Sequence, residues 1–329
     1  MPPTMTLTID AVKAGAAERP ATLLRPRALA VGSTIGVVMS STAPREARVR
    51  RGVQALERAG FRVKTDPALL VPRRYHRRED TRRAEAFMAM WSDPEVDGMI
   101  AGTGGYGAVR VLQYLDPEVF RHHPKALVGY SDVTALHLWM WRVAGLRTIH
   151  GPTLDDLLSA RVPTVASLVT TLTQPQPDTR LGDGVARTMI PGRAVGRLVG
   201  GNLSLVQQSI GTPWEVPVDG AILFLEETKD PMSVADERLL HLRTSGLLSR
   251  VSGVVFGHLT LDRSEEVEFE DFLLDLVSDL GVPVLMDFPA GHKHPNLSLP
   301  LGTGMELVCD RESGWLRYHE PAFTPHHDS

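Results

Sequence analysis

Ser131 lies where an apolar segment meets sequence suited to a helix. The segment Lys125-Ala-Leu-Val-Gly-Tyr-Ser-Asp132 predicts a buried strand that runs directly into a helix, with Ser131 on the turn between them. Such a turn holds a hydroxyl at the carboxyl edge of a sheet, as in the nucleophile elbow of hydrolases, although Val133 stands where the common elbow has a second glycine. The helix start offers backbone N–H groups to an oxyanion, and Asp132 is the natural donor. The alternative is that Ser131 or Asp132 only caps the helix.

A serine nucleophile needs a general base, and the base needs an acceptor that fixes its tautomer. Among the 12 histidines, His292 is the preferred base because it lies in a loop, Pro289 to Asn296, soon after a predicted strand. The carboxylate follows the apolar run Ala221 to Leu225, where Glu226 or Glu227 emerges at the sheet edge. Since side chains alternate along a strand, only one of the two can face the cleft. Either glutamate could instead be a solvated strand end.

Two further patterns could bind a ligand. His292 and His294 have the spacing of two metal ligands, but no second His/Cys cluster completes a shell, so no metal is expected. The loop Gly102-Thr-Gly-Gly-Tyr-Gly107 follows a predicted strand and can bring backbone amides close to an anion. Its glycines match a dinucleotide-binding spacing, but the acidic residue expected about 20 residues further on is missing. A plain tight turn is the alternative interpretation.

The elements that must position these residues alternate between strand and helix patterns. In the first half, predicted strands begin at Thr34, Phe61, Val96 and Ala126, with helix-compatible sequence between them. Strands separated by helices need crossovers, which predicts a mostly parallel sheet flanked by helices. The second half predicts a mixed sheet, with strands at 194–199, 221–225, 251–256, 282–286 and 305–308 and helices at 233–244 and 266–280. The expected fold class is therefore α/β in two domains, with the active site between them.

Changes in composition along the 329 residues predict the domain boundaries. The opening residues mix Pro, Ala, Thr and Gly without a steady period, which is typical of a flexible extension. A stretch rich in Pro, Thr, Gln and Asp before Gly184 is the predicted linker. The prediction is an N-terminal extension at 1–24, a nucleophile domain at 25–160, a linker at 161–190, a C-terminal domain carrying Glu and His at 191–320 and a tail at 321–329.

Composition and charge limit the kinds of partner that we expect the protein to bind. No stretch approaches the ~18 apolar residues needed to span a bilayer, and the N-terminus lacks the pattern of a secretory signal, so we expect a cytoplasmic protein without membrane partners. The single cysteine, Cys309, excludes an internal disulfide and is expected to be buried. The basic cluster Arg73-Arg-Tyr-His-Arg-Arg78 could indicate a nucleic-acid binder. The net charge of −4 and the acidic residues from Glu79 onward argue against nucleic acid.

Taken together, these segments resemble the LD-carboxypeptidase family, which also contains the microcin C immunity peptidases. The resemblance runs from about Arg25 to about Leu316, nearly the whole chain. No single motif is decisive, but their order and spacing are highly specific. The motifs are Gly32-Ser-Thr-Ile-Gly-Val-Val38, Asp93-Pro-Glu-Val-Asp97, Gly104-Gly-Tyr-Gly107, Gly129-Tyr-Ser-Asp132, His150-Gly-Pro152, Gly200-Gly-Asn-Leu203, Leu223-Phe-Leu-Glu226, Gly291-His292 and Leu299-Pro-Leu-Gly302.

The resemblance implies roles for particular residues. It implies a catalytic Ser, Glu and His in that chain order, carried onto Ser131, Glu226 and His292. It also implies an oxyanion hole of the backbone amides of Asp132 and of the turn Gly104-Gly105. Predicted substrate-binding residues are Asn202, Tyr106 and Lys229. The family is further expected to form homodimers and to work without a metal or organic cofactor.

Two departures from the family pattern leave the substrate open. Many murein-acting members have Arg before Gly-Gly-Tyr-Gly, whereas this chain has Thr103, which resembles the microcin-immunity branch. After Glu226 the chain reads Glu227-Thr-Lys-Asp-Pro231, which matches neither branch cleanly, although Lys229 lies near the position where the immunity branch uses a lysine for substrate. The expected reaction is hydrolysis of an amide bond to a C-terminal D-amino acid in a murein tetrapeptide. The alternatives are hydrolysis of a peptidyl-nucleotide or related amide antibiotic, and biosynthetic acyl transfer to an amine.

Overall fold

The structure is a computed structural model. It describes residues 22–39, 41–43, 45–66, 77–158, 162–260, 266–311 and 313–326. Most of the predicted N-terminal extension, residues 73–76 of the basic cluster and the last three residues of the tail lie outside the described residues.

Strands and helices alternate along most of the chain. The strands are β1 (Thr34–Val38), β2 (Arg62–Lys64), β3 (Gly98–Ala101), β4 (Ala126–Gly129), β5 (Thr148–His150), β6 (Arg187–Ile190), β7 (Gly192–Asn202), β8 (Ile222–Thr228), β9 (Gly253–Thr260), β10 (Val284–Met286), β11 (Leu299–Leu301), β12 (Gly304–Cys309) and β13 (Gly314–Tyr318). The α-helices are α1 (Glu46–Arg58), α2 (Arg77–Ser92), α3 (Ala108–Val111), α4 (Pro117–His122), α5 (Thr134–Trp139), α6 (Val162–Thr173), α7 (Leu203–Gln208), α8 (Met232–Thr244) and α9 (Glu266–Val277). Within the described ranges, none of the helices is long and apolar enough to cross a bilayer.

The first sheet has the strand order β11-β5-β4-β3-β1-β2. Its strands from β1 to β5 pair in parallel, and β11 joins the edge in the antiparallel sense. One face carries α1 and α6 through Leu56, Leu168 and Leu172, and the other carries the large side chains of α2 and α4, such as Trp91 and Phe120. A parallel sheet needs cover on both faces, and the prediction of a mostly parallel sheet flanked by helices is confirmed.

The second sheet is mixed, with the order β13-β12-β7-β8-β9-β10-β6. The four strands β7 to β10 are parallel, and antiparallel strands flank them on both sides. One face packs against α7, α8 and α9. The opposite face places Phe224, Val255 and Leu285 in the same core as Ile35 and Val37 of the first sheet. The two-domain α/β class is thus confirmed, and a common core joins the two halves.

Three segments connect the halves in ways that the sequence did not predict. The strand β11 lies late in the chain but completes the first sheet by pairing with β5. The predicted linker at 161–190 contains α6, which packs on the first sheet, and β6, which lies at an edge of the second. In the predicted tail, Ala322 and Phe323 are buried, and Thr324 exchanges backbone contacts with the segment at Pro26. Apolar side chains in these segments explain why they are ordered.

Candidate active site

Ser131 follows β4 on a tight turn. The backbone leaves the strand at Gly129, and residues Ser131–Val133 form a 3₁₀ turn that continues into α5. Ser131 has φ of 60°, which lies in the left-handed region that non-glycine residues seldom occupy. Strain of this kind concentrates at functional sites. The capping alternative is not favoured, because the Asp132 carboxylate accepts from the backbone N–H of Ala108 in α3 and not from its own helix.

The base and the carboxylate meet Ser131 in one hydrogen-bonded chain. His292 Nε2 lies 3.2 Å from Ser131 Oγ, and its Nδ1 lies 2.6 Å from Glu226 Oε2. In the neutral imidazole, Nδ1–H donates to the carboxylate and leaves Nε2 free to accept the serine proton. Glu226 is fully buried, whereas the His292 side chain is 18% exposed. This arrangement can generate a serine nucleophile.

The two adjacent glutamates face different neighbours. The pairing of β8 with β9 shifts register between Leu225 and Glu227, and a bulge of this kind changes the direction of a side chain. Glu226 points to His292. Glu227 is also buried, and its carboxylate accepts from Asn202 Nδ2 at 2.9 Å and from Arg238 Nη1 at 3.0 Å. Of the two glutamates that the sequence left open, Glu226 is therefore the one in contact with the histidine.

Opposing effects set the charge of this pair. Burial opposes a positive charge on His292, but the hydrogen bond and negative charge of Glu226 outweigh it, and the pKa of His292 is raised above its usual value. Burial likewise raises the pKa of the Glu226 carboxyl, and the hydrogen bond from His292 works against that rise. The pair therefore favours an imidazolium once His292 has taken a proton.

The predicted oxyanion loop lies against Ser131. A Cβ atom on Gly104 would stand 3.1 Å from Ser131 Cβ and 3.3 Å from Ser131 Oγ, so even alanine would crowd the hydroxyl. Gly105 has φ of 113°, a conformation that favours glycine, and any Cβ there would collide with Thr42. The structure thus brings Gly104, Gly105 and Asp132 together around Ser131, and glycine is required for the close approach.

The three predicted substrate-binding residues occupy different environments. Asn202 ends β7, is only 3% exposed, and holds Glu227 through its amide. Tyr106 is 50% exposed on the glycine-rich loop. Lys229 is exposed just past β8, with φ of 63°, and its ammonium forms no hydrogen bond or ion pair within the described part of the chain. Tyr106 and Lys229 are exposed at the surface, whereas Asn202 lies below it.

Neighbours that the sequence analysis did not assign hold the histidine in place. The Tyr130 ring packs against the His292 ring with centroids 4.8 Å apart. Within the histidine loop, Asn296 accepts from Gly291 N–H at 2.9 Å, and its own N–H donates to Thr164 of α6 at 2.9 Å. Tyr130 stands in a motif beside Ser131, which could have indicated a role. No local pattern pointed to Thr164.

The remaining candidates for chemistry are metal-binding side chains and the single cysteine. Across the described residues, no group of three or more His, Cys, Asp or Glu side chains could hold a metal ion. Cys309 is buried as predicted, and burial raises the pKa of its thiol to about 12. The thiol is therefore uncharged near neutral pH and a poor nucleophile.

Family models match both halves of the chain. A model of the LD-carboxypeptidase N-terminal domain matches residues 35–151, which include Ser131. A model of the LD-carboxypeptidase C-terminal domain matches residues 195–307, which include Glu226 and His292.

Individual relatives also match this chain over most of their length. A probable murein peptide carboxypeptidase of Bacillus subtilis is 32% identical and covers 84% of this chain and 89% of its own. The microcin C7 self-immunity protein MccF of Escherichia coli is 27% identical, over 87% of this chain and 93% of its own. The crystal structure of a muramoyltetrapeptide carboxypeptidase from Oxalobacter formigenes has a TM-score of 0.77 at 25% identity, and covers 88% of this chain and 100% of its own. The chain therefore belongs to the LD-carboxypeptidase family of serine peptidases.

Proposed function

We propose that this protein is a serine carboxypeptidase that hydrolyses the amide bond to a C-terminal D-amino acid, with Ser131, Glu226 and His292 as its catalytic triad. The observation that carries the proposal is the continuous contact from Ser131 Oγ through His292 to Glu226, at 3.2 and 2.6 Å. The nucleophile also has the strained backbone expected of an elbow.

In the proposed reaction, His292 Nε2 takes the hydroxyl proton while Ser131 Oγ forms a bond to the peptide carbonyl carbon. Glu226 stabilises the imidazolium that results. The carbonyl oxygen becomes an oxyanion, for which the backbone amides of Asp132 and the Gly104-Gly105 turn are the proposed donors. The C–N bond then breaks, and His292 returns its proton to the leaving amine. Water attacks the acyl-enzyme by the reverse sequence and releases Ser131.

A carboxypeptidase must also recognise the free carboxylate of its substrate. A cation or an amide donor serves this purpose. Lys229 is exposed at the carboxyl end of β8, three residues past Glu226, and is the proposed cation. Tyr106, on the glycine-rich loop, is a second proposed contact to the substrate, and the buried Asn202 is a third. The names of the relatives from Bacillus and Oxalobacter support a murein peptide as the substrate.

Mass spectrometry tests this proposal directly. The purified protein and its Ser131→Ala variant are each incubated with a murein tetrapeptide that ends in D-Ala. We expect loss of one alanine with the parent, and a rate reduced by about 10⁶-fold with the variant, since the residual rate rests on binding alone. Cleavage at the parent rate by the variant would refute the role of Ser131.

A second function uses the same triad on a peptidyl-nucleotide or related amide antibiotic. Thr103 favours it, because a small hydroxyl replaces the arginine of many murein-acting members, and the likeness to MccF supports it. Transfer of the acyl group to an amine is a further variant of the same chemistry. An aminoacyl sulfamoyl nucleoside in the same assay separates these: cleavage of this compound but not of the tetrapeptide would favour the immunity-type function. We also propose that the protein forms a homodimer and is located in the cytoplasm.

A further inference from the structure

Ser41 and Thr42, a short way after β1, contact Asp132 and the glycine-rich loop beside Ser131. Ser41 is fully buried there, and its hydroxyl donates to Asp132 Oδ2 at 2.5 Å. The same carboxylate oxygen accepts from the N–H of Ala108, the first residue of α3, at 2.8 Å. Arg83, almost fully buried in α2, donates to the Ser41 carbonyl. The Asp132 carboxylate thus joins the nucleophile turn to two other segments.

Thr42, the next residue, forms three hydrogen bonds with the glycine-rich loop. Its N–H donates to the Gly104 carbonyl at 3.4 Å, and its own carbonyl accepts from Thr103 Oγ1 at 2.9 Å. Its hydroxyl accepts from the Tyr106 N–H at 3.4 Å. These contacts hold the middle of the loop, while the bond from Ala108 to Asp132 holds its end.

These contacts determine which way the loop amides point. In a trans peptide, the carbonyl and the following N–H face opposite directions. Because the Gly104 carbonyl is turned toward Thr42, the N–H of Gly105 is turned away from Thr42. A shift of the loop by a few tenths of an ångström would matter, since Gly104 already lies in tight contact with Ser131.

We propose that the Asp132 side chain is a positioning residue for the oxyanion hole, acting through Ser41, Thr42 and the N–H of Ala108. The inference rests on the proposed function. In it, Asp132 has two roles: its backbone amide is one oxyanion donor, and its carboxylate fixes the loop that supplies the other. A carboxylate suits this role because it accepts several hydrogen bonds at once, and charge-assisted bonds are stronger than neutral ones.

An oxyanion donor acts on the transition state and hardly on the bound substrate. Disturbing the loop should therefore lower kcat and leave KM nearly unchanged. In Ser41→Ala the acid limb of the pH profile should stay in place, because this variant changes no charge and Ser41 is hydrogen-bonded to Asp132 rather than to His292. A residue needed only for folding would instead lower the amount of active enzyme, without a change in the kinetics of the remainder.

The test compares Ser41→Ala, Asp132→Asn and Asp132→Ala with Ser33→Ala as a matched control. Ser33 is also buried and accepts a hydrogen bond from the N–H of Ala30, but it lies at the opposite end of β1. We expect kcat to fall by about 10²-fold in Asp132→Ala. Smaller losses are expected in Ser41→Ala and in Asp132→Asn, where the amide oxygen still accepts from Ala108. Ser33→Ala should keep the parent kinetics.

A fluorophosphonate gives a readout independent of the natural substrate, because its phosphoryl oxygen needs the same donors while it labels Ser131. Labelling rates from intact-protein mass should follow the order of kcat. Failure of the parent to label would refute the serine nucleophile itself. A labelled parent, with Ser41→Ala and Asp132→Asn reacting as fast as Ser33→Ala, would refute only the positioning role. If Asp132→Ala does not fold, these two variants still decide the matter.

Discussion

At the scale of single residues, Glu226 and Glu227 are chemically identical neighbours with different surroundings. The Glu226 carboxylate binds His292, while the Glu227 carboxylate binds the amide of Asn202 and the guanidinium of Arg238. The hydrogen bond with Glu226, together with the negative charge of its carboxylate, is the main reason that the pKa of His292 rises despite burial. Because the two carboxylates differ in their contacts, we expect that removing the charge of Glu226 and removing the charge of Glu227 will change the kinetics in different ways.

The first prediction concerns pH dependence. His292 acts as a base only when neutral, so kcat/KM should fall as pH drops through its raised pKa, with an acid limb above the usual value for histidine. In Glu226→Gln the attraction that favours the imidazolium is lost, and the limb should move to lower pH. The rate should also fall by about 10⁴-fold, because the amide no longer enforces the reactive tautomer.

Glu227→Gln is the matched control for this pH profile. It removes the same charge one residue further along β8, from a carboxylate that does not contact His292. We expect a smaller shift of the acid limb and a higher KM, since Asn202 loses its charged partner. Profiles of kcat/KM from pH 5 to 9 measure both effects. A larger loss of kcat in Glu227→Gln than in Glu226→Gln would contradict the assignment.

Sequence reasoning reached the residues of the proposed triad but not their supports. Local patterns indicated Ser131, His292 and either Glu226 or Glu227 as candidates, because each follows a predicted strand, and the family resemblance implied the combination of Ser131, Glu226 and His292. The choice between Glu226 and Glu227 depended on a bulge in β8, which no local pattern shows. Ser41 lies 91 residues from its partner Asp132. A single sequence does not reveal a contact between residues so far apart in the chain, because serine and aspartate are also common in solvated turns.

At the scale of elements, α6 determines where the histidine loop sits. Two backbone N–H groups near the loop donate to hydroxyls of this helix, from Asn296 to Thr164 and from Ser298 to Ser167, each at 2.9 Å. The helix also packs on the first sheet through Leu168 and Leu172. The helix therefore joins the domain that carries Ser131 to the loop that carries His292.

The second prediction tests this connection with Thr164→Val. Valine keeps the shape of threonine but leaves the buried N–H of Asn296 without its acceptor, at a cost of about 1 to 3 kcal/mol in the free energy of unfolding. We also expect kcat to fall, because His292 moves with the loop. Thr170→Val in the same helix is the control, since the Thr170 hydroxyl forms no hydrogen bond within the part of the chain described. Urea unfolding and kcat measure the two effects; equal behaviour of both variants would argue against the connection.

Most of the elements were predictable from their apolar runs and periodicity, but β5 and β11 were missed. The predicted strands overlap β1, β7, β8, β9 and β12, and the predicted helices overlap α8 and α9, but β7, β8 and β9 run three to four residues past their predicted ends. The strands β5 and β11 have three residues each, too few to establish an alternating pattern. The Pro and Thr residues of α6 suggested a loop, but its Leu residues pack on the sheet, and tertiary contacts outweigh weak helix propensity.

At the scale of the whole molecule, the two halves share a core and exchange segments. The last described residues return to the first domain, where Glu320 accepts from Arg147 Nη2 at 2.7 Å. Arg147 is almost fully buried just before β5, and burial lowers its pKa to about 10. Glu320 also accepts from the N–H of Gly304 at the start of β12. A single carboxylate therefore connects both sheets.

The third prediction follows from this shared carboxylate. Glu320→Ala should lower the free energy of unfolding by about 3 kcal/mol, because it leaves Arg147 buried without a counter-charge. The figure is at the low end for buried pairs, since the Glu320 side chain is 32% exposed. Asp279→Ala breaks the exposed pair with Arg243 and should cost less than about 1 kcal/mol. Urea unfolding followed by tryptophan fluorescence and by far-ultraviolet circular dichroism measures both variants.

The same unfolding curves report whether the halves unfold together. Three of the five tryptophans, Trp91, Trp139 and Trp141, lie in the first domain, so fluorescence weights that half more strongly, while circular dichroism follows both halves. Because the common core contains side chains from both sheets, loss of the Arg147 contact should shift the two curves by the same amount and leave them superimposed. Separation of the curves in Glu320→Ala would mean that the shared core does not couple the halves. In that case the geometry between Ser131 and His292 would depend on α6 and the histidine loop alone.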